Sequence, residues 1–108
     1  MTIRIVNKRD GIPGEYVGRP SPLGNPYLIG PDGTRKEVIE KYRVWFEDRA
    51  KHVINIRFQQ ELARMVQIYR DTGELTLVCW CAPEDCHARI IKEYIEAIVR
   101  ETADDEYL

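Results

Sequence analysis

All three cysteines of the chain, one of its two histidines and two adjacent carboxylates fall in a single stretch, Cys79-Trp80-Cys81-Ala82-Pro83-Glu84-Asp85-Cys86-His87. A thiol or imidazole in the first turn of a helix sits among unpaired amides at the positive end of the macrodipole. That field favours thiolate and neutral imidazole. Cys86 and His87 are therefore candidates for a nucleophile and a base near neutral pH. Glu84 and Asp85 are the candidate carboxylates for general acid or base work. They also oppose thiolate formation, and acidic residues suit a first helical turn whatever the protein does. The ordinary alternative for His87 is a hydrogen bond that ties the helix start to a loop. For Cys79 it is a small buried hydrophobe.

The same residues offer four ligands of the kind a structural zinc site uses. Neighbouring helical residues point about 100° apart, so Cys86 and His87 converge poorly on one ion, and the usual two-residue spacer between cysteines is missing. Neither a metal nor a cofactor is expected. A phosphatase-like cysteine site is not expected either, because carboxylates occupy the loop where amides and an arginine would be needed.

A second constellation is Gly18-Arg19-Pro20-Ser21-Pro22-Leu23-Gly24-Asn25-Pro26. Its prolines fix their own backbone angles and push Arg19, Ser21 and Asn25 towards extended conformations. A cation and two hydrogen-bonding groups are thus carried on a stiff loop, which lowers the entropy cost of gripping a ligand. Arg19 suits an anionic or carbonyl group, Ser21 and Asn25 suit a polar ring or sugar, and Cys81 would line the reacting end. No phosphate-loop motif is present. The ordinary alternative is a rigid surface loop.

These groups need elements to position them. Ile3 to Val6 and Glu15 to Val17 read as short strands, and Tyr27-Leu28-Ile29 as a third. Thr34 and Glu37 form a capping-box pattern, and Val38, Tyr42, Trp45 and Phe46 continue at helical spacing to about His52. Asn55 caps a second helix carrying Phe58, Leu62, Met65, Val66 and Tyr69, which Gly73 ends. Leu75 to Cys81 reads as a strand buried on both faces, with Cys79 and Cys81 on one side and Trp80 on the other. The last helix is predicted from near Pro83, with Ile90, Ile91, Tyr94, Ile95, Ile98 and Val99 inward and residues 101–108 frayed. The sum is an α/β chain: a small Rossmann-like sheet of three to four strands packed with about three helices, in a single domain over residues 1–108.

At 108 residues and 44% hydrophobic content, one core is affordable and two are not. No stretch approaches the roughly twenty apolar residues of a membrane span, and the amino terminus lacks a signal-peptide layout, so a soluble cytoplasmic protein is expected. Clustered cysteines fit reduced thiols in that compartment. A net charge of -2 gives no global attraction to nucleic acid, and the basic run Ile3 to Arg9 reads as ordinary solvated surface.

Four stretches resemble one known family. They are Val6-Asn7-Lys8-Arg9; Tyr16 to Tyr27; Asp32-Gly33-Thr34-Arg35 with Tyr42 and Trp45; and Cys79-Trp80-Cys81-Ala82-Pro83 through Cys86-His87. Together they resemble domain of unknown function 4326 in the right order, leaving out the second helix and the tail. The resemblance implies the α/β fold, the position of the site and a bacterial or phage origin, and it assigns no reaction. The closing strand and Cys-His helix start are also similar to those of domain of unknown function 488, a Rossmann-like family.

Two functions follow as expectations. In the first, the Gly18–Pro26 loop and the Cys79–His87 junction face each other across the strand ends. They form a ligand-binding or catalytic cleft for a nucleotide or nucleoside-like molecule, by analogy of fold. Glycosidic cleavage or transfer at Glu84 or Asp85 would be its reaction. In the second, the chain is a non-enzymatic, phage-encoded interaction or regulatory module that docks a host protein. The cysteines are then core and the proline-rich loop is the docking surface.

Overall fold

The computed structural model describes residues 1–52 and 55–102. Strands β1 (Thr2–Asn7), β2 (Glu15–Tyr16) and β3 (Glu74–Cys79) form a parallel sheet in the order β1-β3-β2. Helix α1 (Arg35–Lys51) packs on α2 (Ile56–Thr72), and α2 and α3 (Ala88–Thr102) pack against the sheet. Among the described residues this is the small α/β architecture anticipated, with no helix long and apolar enough to cross a membrane.

The central strand explains the core. β3 pairs Leu75 with Ile3 and Leu77 with both Ile5 and Glu15. Side chains alternate along a strand, so Leu75, Leu77 and Cys79 enter one cluster with Phe46 of α1, Met65 of α2 and Ile91 of α3. On the opposite face Val78 is buried and Thr76 half-buried. The chain at Gly14 lies so close there that an added Cβ would sit 2.7 Å from the Thr76 carbonyl oxygen.

The helix ends follow local chemistry. Thr34 Oγ1 accepts from the Glu37 amide at 3.2 Å while Glu37 Oε1 accepts from the Thr34 amide at 3.0 Å. Asn55 Oδ1 takes the Arg57 and Phe58 amides. Gly73, at φ 75, turns the chain out of α2, and its amide reaches the Tyr69 carbonyl. Both caps and the glycine stop are those read from the sequence.

Three boundaries differ from expectation. Tyr27–Ile29 is a loop, not a strand, because its polar groups are satisfied locally: Asp32 Oδ2 accepts from the Leu28 amide at 2.7 Å, and the Asp32 amide returns to the Leu28 carbonyl. β3 stops at Cys79 instead of Cys81, since Asn7 Nδ2 draws the Trp80 and Ala82 carbonyls into a bend at 3.0 and 2.8 Å. α3 begins at Ala88 instead of near Pro83. A turn closed by the Glu84 amide on the Cys81 carbonyl comes first, and the first α3 amides bond to Cys86 and His87. Of the tail expected to fray, Glu101 and Thr102 are helical, and 103–108 lie outside the described residues.

Candidate functional site

Beyond the carboxyl ends of β2 and β3, the usual place for ligands in parallel α/β sheets, lies a cavity of about 500 Å³. Both sequence constellations reach it. Gly18, Arg19 and Asn25 line it from the early loop, and Trp80, Cys81, Asp85, Cys86 and His87 from the late junction. Tyr27 with the loop behind it and Arg35, Val38 and Ile39 of α1 close the remaining wall.

Short-range bonds fix this shape. Asn7, at the end of β1, holds the bend after β3 through the two carbonyls named above. The Tyr16 hydroxyl donates to the Arg19 carbonyl at 2.7 Å and accepts from Trp80 Nε1 at 3.2 Å. Lys8 Nζ sits 4.3 Å from the Tyr16 ring centroid. Gly18 makes room for that tyrosine: a Cβ there would lie 2.5 Å from the hydroxyl oxygen. The buried Tyr42 hydroxyl donates to the Leu23 carbonyl at 2.6 Å, tying the early loop to α1. The Arg19-Pro20 and Ala82-Pro83 peptides, one in each loop, are both cis.

His87 is 7% exposed and its Nε2 lies 2.6 Å from the Val17 carbonyl oxygen. A carbonyl only accepts, so Nε2 carries the proton and Nδ1 keeps a lone pair. Burial lowers the imidazole pKa, the Val17 bond opposes that, and the Arg19 charge lowers it further. The ring is held neutral, edge-on to Tyr42 with centroids 5.1 Å apart.

The thiols differ from the sequence expectation. Cys86 precedes α3, is buried, and donates its S–H to Cys79 across 3.3 Å. That bond and burial push Cys86 well above the ordinary thiol range, so it is a neutral donor instead of the thiolate a first helical turn would favour. The same bond, aided by the Ala82 and Cys81 amides and opposed by burial, brings Cys79 down to about 6. Cys79 lies in the core and outside the cavity lining, while half-buried Cys81 lines it, so the two do not share one wall.

Charge is unevenly committed. Asp85 takes two bonds from Arg89, at 2.7 and 3.2 Å, which lower its pKa. Glu84 pairs with Arg35 at 3.1 Å and is not among the lining residues. Arg35 also donates to the Asp85 carbonyl at 3.1 Å. Arg19 has no partner for its guanidinium among the described residues.

Two candidate ligand groups are occupied in shaping their own loop. Ser21 Oγ accepts from the Leu23 amide at 3.2 Å, and Ser21 is not a lining residue. Asn25 lines the cavity, but its Oδ1 accepts from the Tyr27 amide at 2.9 Å and its Nδ2 points to the Val38 carbonyl at 3.5 Å. Sequence reasoning missed Tyr16, Tyr27, Arg35 and Trp80 as wall residues and Asn7 as the clamp. Arg35 follows the helix cap directly, and it, Asn7, Tyr16, Tyr27 and Trp80 all stood inside the stretches that carried the family resemblance. No cluster of three or more His, Cys, Asp or Glu residues suited to a metal occurs among the described residues.

Residues 4–97 match the model of a family described as Domain of unknown function (DUF4326). No curated protein and no solved structure matches the chain.

Proposed function

We propose, for a chain that belongs to the DUF4326 family, that the cavity is a binding cleft for a nucleotide or nucleoside-like molecule. The observation that carries this reading is the shared lining: Arg19 and Asn25 of the proline-rich loop border the same 500 Å³ space as Cys81 and His87 of the junction. That volume lies within the roughly 300–1,000 Å³ typical of small-molecule sites. Tyr16, Tyr27 and Trp80 offer aromatic faces on which a base can stack, and stacking needs no particular base identity. Asn25, Arg35, Asp85 and His87 are each held in place by a hydrogen bond or ion pair, which preorganises that part of the wall. Because Glu84 and Asp85 are held by arginines, their part in this reading is to shape the loop, and glycosidic chemistry at either one would first have to break an ion pair.

A thermal-shift panel of nucleosides and nucleotides on the full chain tests the reading. A member of the panel should raise the melting temperature and shield the Cys81 thiol from alkylation. A panel without a shift and without protection refutes it. A second reading, a docking surface for a host protein, draws on the exposed apolar side chains Leu28, Ile29 and Trp80 at the cavity. A flat panel combined with a stoichiometric complex in pull-down would favour that one.

A further inference from the structure

The charged and imidazole groups along the cavity divide into those with partners and those without. Asp85 is taken by Arg89, and Arg35 by Glu84 and the Asp85 carbonyl. The Arg19 guanidinium and His87 Nδ1 remain unpartnered among the described residues.

Their demands on a ligand differ. Guanidinium stays charged under all ordinary conditions and answers an anion, best through two parallel bonds to a carboxylate or phosphate. His87 presents the opposite need. Its Nε2 proton is committed to Val17, so Nδ1 of the neutral ring can only accept, and at the cavity wall the group that answers it is a ligand donor. A ligand that satisfies both must carry an anion at one end and an N–H or O–H at a short remove. The aromatic residues Tyr16, Tyr27 and Trp80 add a need for a flat ring.

We infer that the cleft takes a nucleoside monophosphate, its phosphate on Arg19 and a base N–H or sugar O–H donated to His87 Nδ1. The inference rests on the nucleotide reading above and deepens it to a ligand class. One uncommitted guanidinium matches one phosphate. A polyphosphate chain would bring charge for which the lining offers no second free cation among the described residues, since Arg35 is paired with Glu84 and Lys8, outside the lining, is held over the Tyr16 and Trp80 rings. A bare nucleoside would leave Arg19 without an answer.

Isothermal titration of the full chain at fixed ionic strength decides the matter. The ligands are adenosine, guanosine, cytidine and uridine, each with its 5′-monophosphate and 5′-triphosphate, and inorganic phosphate. For at least one base the monophosphate should bind about 10-fold or more tighter than its nucleoside, and tighter than its triphosphate. Arg19→Ala, a change at an exposed side chain, should reduce the monophosphate to the affinity of the nucleoside and leave the nucleoside itself unmoved. His87→Gln should weaken both alike. Equal binding of nucleoside and monophosphate, tightest binding of the triphosphate, or a phosphate increment that survives Arg19→Ala would each overturn the inference and leave a nucleoside cleft standing. Failure of every nucleoside and nucleotide to bind removes the parent reading, and this one with it.

Discussion

His87 and Val17, 70 positions apart in the chain, are joined by a 2.6 Å hydrogen bond from the imidazole Nε2 to the backbone carbonyl. The bond links the residue before α3 to the residue after β2. Replacing His87 by Ala orphans a carbonyl on the fully buried Val17 and should cost about 1–3 kcal/mol, read as a lower midpoint in urea unfolding. His87→Gln retains an N–H donor of similar reach and should recover part of that loss. Equal midpoints for Ala and the native chain would show that the bond contributes nothing.

The same histidine sets a pH dependence. Its folded pKa is below the ordinary value of 6.5, so between the two values the unfolded chain binds the proton and the folded chain does not. Its contribution is complete above about 6.5 and is lost as pH falls below it. Cys79, brought down to about 6 from 9.0, adds a loss of the same sign as pH falls from 9.0 towards 6. Native stability, measured by urea unfolding from pH 7 to 5, should therefore fall more steeply than that of His87→Gln. Parallel curves would contradict a depressed imidazole.

Tyr42 is fully buried and its hydroxyl donates to the Leu23 carbonyl at 2.6 Å. Tyr42→Phe keeps the ring and its contacts with Trp45 and Phe46 but leaves that carbonyl without its donor. A destabilisation of about 1–3 kcal/mol is expected, together with a faster hydrogen exchange of the Gly24 amide in the early loop. An unchanged exchange pattern would mean that the loop does not depend on this tie.

The three thiols should react in a fixed order. Cys81 is half-buried at the cavity wall, while Cys79 and Cys86 are buried and bonded to each other. Under native conditions iodoacetamide should modify Cys81 first, and the other two only on the timescale of unfolding, as peptide mass spectrometry would show. Rapid labelling of Cys86 would contradict its position as a buried donor.

Asn7 holds two carbonyls of the bend after β3 with one amide group. Asn7→Ala should cost about 1–2 kcal/mol and raise the alkylation rate of Cys81, because the bend that shields it loses both bonds. A stability loss without a change at Cys81 would place the role of Asn7 in the strand alone.

What the sequence made legible were features with a local cause. The capping box at Thr34, the Asn55 cap and the Gly73 stop depend on residues a few positions apart, and the structure contains each of them. The nearly unbroken apolar run of β3 located the central strand for the same reason. The boundaries that moved were decided by distant partners. Trp80 and Cys81 read as strand by composition, but Asn7, 73 positions before Trp80, bends them out. Cys86 read as a helix-start thiolate, yet its sulfur is answered by Cys79 on the neighbouring strand. The roles expected of Ser21 and Asn25 as ligand groups overlooked the amides of their own loop, which occupy Ser21 Oγ and Asn25 Oδ1.

Trp80 is 54% exposed, lines the cavity and gives its indole N–H to Tyr16. The chain's other tryptophan, Trp45, packs between Tyr42 and Phe58 in the helical layer. The protein thus carries its own optical reporter: in a Trp45→Phe background the remaining fluorescence would come from Trp80. Its intensity and wavelength would follow occupancy of the cavity in real time, with no label attached.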